Sequence, residues 1–329
     1  MIIVTGGAGF IGSNLVAALE DRGITNLVVC DTLGSDDKWR NISKRELRDV
    51  VHPDHLMDYL NAHAGEVQAI FHMGAISATT ERDADAITKN NFTATRLLWK
   101  WCAAHNVRLI YASSAATYGD GDAGFVDNDA PEFLAKLRPL NPYGWSKHLF
   151  DRRTARIVRD GSEPVPPQWA GLKFFNVYGP NEYHKGEQMS VVCKLYPQVM
   201  AGASARLFKS ANPNYGDGGQ IRDFIYVDDC VSVMMWLYDN PGVNGLFNVG
   251  TGQARSFKDL AEAVFAAADK KPKIHYIDMP QELQAKYQYY TQADMTKLRA
   301  AGYDKPFTAL EEGVRRYVQD FMSKSDQYR

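Results

Sequence analysis

A chain of 329 residues, 45% hydrophobic and 23% charged, is long enough to build one large or two modest domains around a substantial core. That composition excludes intrinsic disorder, and 37 Lys and Arg against 39 Asp and Glu leave a net charge of −2, so no nucleic-acid partner is expected. The longest strongly apolar run, residues 231–238, falls far short of the roughly 20 residues that cross a bilayer, so no membrane partner is expected either.

In chain order, Ile2-Ile3-Val4 reads as a strand buried on both faces, followed by a glycine turn and a helix over Ser13 to Asp21. Leu27 to Cys30 is the next buried strand and ends at Asp31. Further short apolar runs follow at Ala69 to His72, Val107 to Ala112, Leu172 to Asn176 and Leu246 to Val249. Helical patterns separate them at Ala84 to His105 and Ser146 to Arg159. This alternation predicts an α/β fold, a doubly wound parallel (Rossmann) sheet with right-handed crossovers and a second, smaller α/β substrate domain. Beyond Asn176 the alternation stops; residues 179–220 are rich in Gly, Pro and Asn, and 212–220 reads as a loop. The expected division is 1–176 with 224–250 for the dinucleotide-binding domain, and 177–223 with 251–329 for the smaller one. Four widely spaced cysteines, Cys30, Cys102, Cys193 and Cys230, read as buried free thiols in a reducing compartment. The first residues lack a basic leader region, so the expected location is cytoplasmic.

The turn at residues 5–12 (TGGAGFIG) joins the first strand to the first helix. Residues without Cβ permit a tight turn and let backbone amides approach a pyrophosphate, while the helix N-terminus offers its positive end. Gly6, Gly9, Phe10, Ile11 and Gly12 are therefore cofactor candidates. Asp31 follows Gly12 by 19 residues at a strand end, the placement of an acid that holds a ribose, with Thr32 beside it. A carboxylate there favours NAD, because it repels a 2′-phosphate. Lys38 and Arg40 lie in the same loop and can neutralise one, so spacing does not choose between the two; NADP is the cofactor expected, with NAD open.

Tyr143 and Lys147 are four residues apart, on one face of a helix starting near Pro142. A nearby ammonium favours the phenolate, which makes the tyrosine a usable acid/base near neutral pH. Upstream, residues 112–119 (ASSAATYG) end a strand, so Ser114 falls at the carboxyl edge of the sheet, where α/β proteins bind ligands.

Glycine turn, Ser114 and the Tyr143/Lys147 pair together resemble the extended short-chain dehydrogenase/reductase superfamily, whose members act on nucleotide sugars. The resemblance runs over essentially the whole chain. It implies that Ser114 hydrogen-bonds the reacting hydroxyl, Tyr143 moves its proton, and Lys147 holds the nicotinamide ribose. Dehydratases of this kind resemble one another in carrying an Asp-Glu pair after the catalytic Ser/Thr; Ala115 and Ala116 stand there, so dehydration is not expected. The strings at 112–119, 175–180 (FNVYGP), 184–186 (HKG), 290–294 (YTQAD) and 298–307 (LRAAGYDKPF) resemble the branch that epimerises ADP-linked heptoses at C6. A nucleotide-sugar 4-epimerase is the alternative within the superfamily, and a redox-inactive dinucleotide sensor the alternative outside catalysis.

Inverting an unactivated carbinol carbon requires taking its hydride and returning one to the opposite face. The oxygen occupies a different place in each half-reaction, so two proton-transfer groups are expected. By resemblance Lys185 is the second, and the cofactor stays tightly bound, one per subunit. Resemblance also places Met73, Gly74, Ala75, Ile76, Ser77, Asn90 and Val177 at the cofactor, and Asn176, Lys194, Phe208, Arg222 and Tyr287 at the nucleotide-sugar substrate. Arg222 would grip the diphosphate. No metal is expected, and homo-oligomers are common in such families. Three positions depart from the pattern: Pro53 replaces a cofactor-side lysine, and Glu187 and Lys194 stand where a serine and a histidine would meet substrate.

Overall fold

The structure, a computed structural model, describes residues 1–281 and 288–329. It contains two compact units. One comprises Met1–Phe174, Val231–Val249 and Asp294–Asp304; the other comprises Phe175–Cys230, Gly250–Ala293 and Lys305–Arg329.

The first unit is built on a seven-stranded, wholly parallel sheet. Its strands are β1 (Ile2–Thr5), β2 (Leu27–Cys30), β3 (Asp49–Val51), β4 (Ala69–His72), β5 (Arg108–Ser114), β6 (Trp169–Phe174) and β7 (Gly245–Val249). Their spatial order is β7-β6-β5-β4-β1-β2-β3. β1, β2, β4, β6 and β7 are buried along their whole length, which is why they read as continuous apolar runs without alternation. The chain order reverses between β1 and β4, and the carboxyl ends of these two strands flank the crevice where such sheets take ligands.

Three helices of this unit matter for the site: α1 (Phe10–Asp21), α2 (Ala94–Ala104) and α3 (Pro142–Asp160). Asn141 caps α3, its Oδ1 accepting from Gly144 N at 2.8 Å, and Pro142 is pre-set for the first helical position. Gly161, in the left-handed region at φ 60°, ends it. The continuous helix predicted over residues 84–105 is interrupted by a π-turn, Thr88–Thr93, that joins a short helix at Ala84–Ile87 to α2.

Two differences from the sequence reading stand out. The run Phe224 to Val227 reads from sequence as a further strand of the main sheet, but Phe224–Tyr226 pairs in parallel with Asn176–Tyr178 instead. β6 already lies between β5 and β7, so it has no free edge to offer a further strand. Conversely, residues 294–304 belong to the first unit. Asp294 N donates to Phe125 O at 3.2 Å, Lys297 pairs with Asp129 at 2.7 Å, and the Tyr303 hydroxyl reaches Ser232 at 3.0 Å. The second unit also holds two smaller strand pairs, Ile221–Arg222 with Arg255–Ser256 and Ala205–Phe208 with Ile274–Ile277. All four cysteines are free and buried. Among the described residues no helix is long and apolar enough to cross a membrane.

Candidate active site

The turn between β1 and α1 excludes side chains. Gly6 sits at φ +63°, and a Cβ there would lie 2.6 Å from Gly74 N. A Cβ on Gly12 would lie 2.1 Å from Gly6 O. Gly9 caps α1 with no side chain, so backbone and the positive end of α1 are what the turn presents. Phe10 and Gly12 are buried beneath it and Ile11 is half-buried. Such a cradle fits a dinucleotide's pyrophosphate.

Asp31 leaves β2 beside that cradle. Its Oδ2 accepts from Ala8 N at 2.9 Å, and its Oδ1 accepts from Thr32 N at 2.8 Å and from Lys38 Nζ at 2.6 Å. Three donors leave about one lone-pair direction of the carboxylate for a ribose hydroxyl. Lys38 also donates to Thr32 O at 2.9 Å, so a cation is held beside the Asp31 carboxylate. Gly6, Asp31, Thr32, Lys38, Gly74, Ala75, Ile76 and Asn90 line a cavity of about 380 Å³. That volume lies in the range of small-molecule sites, about 300–1,000 Å³. Met73 N donates to Thr5 O at 2.9 Å, while Ser77 is exposed. Pro53 lines the cavity too.

Sequence reasoning passed over Leu56, Met57 and His72, which also line it. His72 is buried between Thr5 Oγ1 (2.6 Å) and Thr95 Oγ1 (2.9 Å), and burial holds its pKa down at about 3, so it is neutral. Asn91 was also missed. It accepts from Ile76 N at 2.8 Å and donates to Ile76 O at 2.9 Å and to Ser146 Oγ at 3.0 Å, tying the cofactor segment to α3.

At the carboxyl end of β5, Ser114 accepts from Ala116 N at 3.1 Å, and its hydroxyl lies near enough to the Tyr143 phenol to favour the phenolate. Lys147 is buried, and its Nζ donates to Ala112 O at 2.7 Å. Burial lowers the pKa of Lys147 to about 8, and Asp151 pulls it back up. Contrary to the expected acidic phenol, the net shift at Tyr143 is upward: burial raises its pKa, the nearby Ser114 hydroxyl lowers it and the Asp151 charge adds to the rise. Gly144 lets these groups converge: a Cβ there would fall 2.6 Å from Ala116 O.

In the second unit, Lys185 lies half-buried in the 3-10 turn Tyr183–Gln188. Burial lowers its pKa and the nearby Glu182 opposes that, which suits a lysine that must give and take a proton. Glu182 is itself buried and accepts from Ser190 Oγ at 2.6 Å. The two departures, Glu187 and Lys194, form an ion pair at 2.8 Å. Arg222 donates to Ile221 O at 2.8 Å and to Gln288 O, with its guanidinium 5.7 Å from the Phe257 ring centre. Its neighbour Asp223 closes loops by accepting from Thr251 N and Oγ1 (both 2.7 Å), Gly252 N (2.9 Å) and Ala293 N (3.0 Å). Asn176 is exposed, and Val177 and Phe208 are half-buried. Tyr287 lies outside the described residues.

Residues 2–250 match the model of the NAD dependent epimerase/dehydratase family. The chain is 53% identical over 332 residues to the ADP-L-glycero-D-manno-heptose-6-epimerase of Nitratidesulfovibrio vulgaris, with 100% of both chains covered. It is 48% identical to the protein of that name from Fusobacterium nucleatum, again over 100% of both. Among solved structures, the Helicobacter pylori ADP-L-glycero-D-manno-heptose-6-epimerase superposes with a TM-score of 0.78 at 27% identity, covering 98% of this chain and 96% of that one. The Thermus thermophilus UDP-glucose 4-epimerase, in complex with NAD, gives 0.77 at 26%, covering 98% and 99%.

Proposed function

The chain belongs to the NAD dependent epimerase/dehydratase family, and from that premise we propose that it interconverts ADP-D-glycero-D-manno-heptose and ADP-L-glycero-D-manno-heptose by inverting C6. The observation that carries the reading is the group at the end of β5: Ser114 at the strand's carboxyl end, with Tyr143 and a buried Lys147 one helical turn apart on α3, the lysine bonded to Ala112 O of the same strand. A redox-inactive sensor would have no use for that complete set.

The glycine turn, Asp31 and the Gly74–Ile76 segment would hold a nicotinamide cofactor, which would supply reversible hydride acceptance. Ser114 hydrogen-bonds the C6 hydroxyl and fixes its oxygen. Tyr143 takes the hydroxyl proton as the C–H bond is lost, and Lys147, as an ammonium, stabilises the phenolate left behind. The ketone then presents its other face, and its oxygen meets a second proton-transfer group, Lys185, in the return step. Arg222 suits the substrate diphosphate, since a guanidinium can make two parallel bonds to phosphate oxygens. The resident cofactor is NADP: Lys38 on Asp31 supplies the cation a 2′-phosphate needs. The enzyme is cytoplasmic and homo-oligomeric, and its product feeds heptose into lipopolysaccharide or a related surface polysaccharide.

Incubation with ADP-heptose and with UDP-hexose, followed by NMR of sugar stereochemistry, tests the assignment; conversion of the heptose and not the hexose is expected. Deuterium at C6 should stay on the product carbon, and its loss to water would overturn the oxidation–reduction route. Denaturation should release NADP.

A further inference from the structure

We propose that Asp151 and Lys173, a buried ion pair outside the reacting groups, are positioning residues that lock Ser114 against the Tyr143/Lys147 face of α3 and keep Lys147 charged. The inference rests on the roles proposed above for Tyr143 as proton carrier and Lys147 as the ammonium that stabilises its phenolate.

Tyr143, Lys147 and Asp151 recur every four residues on α3, so the helix turns all three toward β5. The carboxylate of Asp151 is inaccessible to solvent. It accepts from Lys173 Nζ at 2.7 Å and Ser113 Oγ at 2.7 Å through Oδ2, and from the Tyr111 hydroxyl at 3.3 Å through Oδ1. Lys173, on β6 and equally inaccessible, donates also to Thr117 Oγ1 at 2.7 Å and lies 5.0 Å from the Tyr118 ring centre. Ser113 and Thr117 bracket Ser114 in sequence. One carboxylate and one ammonium therefore hold both sides of the segment that delivers the serine to the helix that delivers the phenol.

Stability alone does not account for this pair. Withdrawing two charges from water is costly, and an apolar pair of equal volume would serve a core as well or better. What an apolar pair cannot supply is a fixed negative charge one turn beyond Lys147.

The other titratable groups facing this cluster leave that charge in command. On β4, His72 is held neutral by burial. On α3, burial lowers His148 to about 4; Asp151 opposes this, while Lys173, Arg152 and Arg138 add to it. On β5, Tyr111 is held protonated by burial. Asp127 and Asp294 act on Tyr118, with Asp151 itself among its neighbours, and Asp129 acts weakly on Tyr111. Asp151 opposes the effect of burial on Lys147 and adds to the upward shift at Tyr143. Removing its charge therefore lowers both values, and both limbs of the rate profile move to lower pH.

The test uses the intact holoenzyme with the paired variant Asp151→Asn/Lys173→Met, which removes both charges and strands neither. It is expected to fold with nucleotide bound and KM near normal, with kcat down about tenfold or more. Its pH profile should move about one unit toward acid. A folded, nucleotide-loaded double variant with the parent kcat and pH profile would overturn the proposal. Should that variant not fold, Thr117→Val takes over, because it deletes an acceptor of Lys173 without altering any charge. A several-fold fall in kcat at constant KM supports the proposal, and the parent kcat overturns it. Lys147→Met separates the two levels of inference. If it retains turnover, the underlying reading fails. If it is inactive while the double variant behaves as the parent, only the present inference fails.

Discussion

At Tyr143 the proposed chemistry rests on one hydroxyl and one amine. Replacing it by Phe removes the proton carrier and keeps the ring, so turnover should fall by about 10²–10⁴-fold with an unchanged melting temperature. Lys185→Met should cost as much if the return step needs its own proton group; near-normal epimerisation would sink that assignment. Lys147 sets a pH limit. In the proposed mechanism its ammonium is the active form, and its pKa is lowered to about 8, so kcat should decline as pH rises through that value. His72 sets a limit on stability instead. Its folded pKa is lowered from 6.5 to about 3, so between those values the unfolded chain binds the extra proton. Stability therefore rises with pH across that window and is lost as pH falls through it. The urea midpoint should drop on going from about pH 7 to about pH 4, and drop less in His72→Asn.

Among the elements, α3 and the turn after β5 approach so closely that only glycine fits at 144. Gly144→Ala would put a methyl 2.6 Å from the Ala116 carbonyl oxygen and push the helix away from Ser114. The expected cost is about 1–3 kcal/mol of stability, typical of overpacking, with a loss of kcat larger than the change in KM. Thermal melts and steady-state kinetics on the purified variant read both. Gly6→Ala strains the other critical junction, between β1 and β4, and should release the nucleotide during purification. Both glycines lie within legible motifs, but their reasons are visible only when the opposing backbone, Ala116 or Gly74, is in place.

For the molecule as a whole, burial of the four free thiols makes a simple prediction. A thiol reagent should modify none of them in the native chain and all of them once it unfolds, because the thiolate needed for attack is suppressed in apolar surroundings; Cys30, for example, is pushed up to about 12. Adding nucleotide should slow that modification, since a ligand that binds only the folded state stabilises it. The same scale separates what a linear reading reaches from what it cannot. The glycine turn, Asp31, Ser114 and the Tyr143/Lys147 pair were legible because each is written in a handful of contiguous residues whose spacing follows a strand end or a helical turn. Even the apolar strands declared themselves, since burial on both faces demands an unbroken run. The sheet partner of Phe224–Tyr226, the His72–Thr95 contact, the loops gathered on Asp223 and the Asp151–Lys173 pair were not legible. Their partners come from segments that meet only after the chain has folded, and no local period records which carboxylate will find which lysine. Residue type and short-range spacing decided what chemistry this chain can perform; the packing of distant segments decided where each charge is held, because burial and pairing are properties of the folded interior alone.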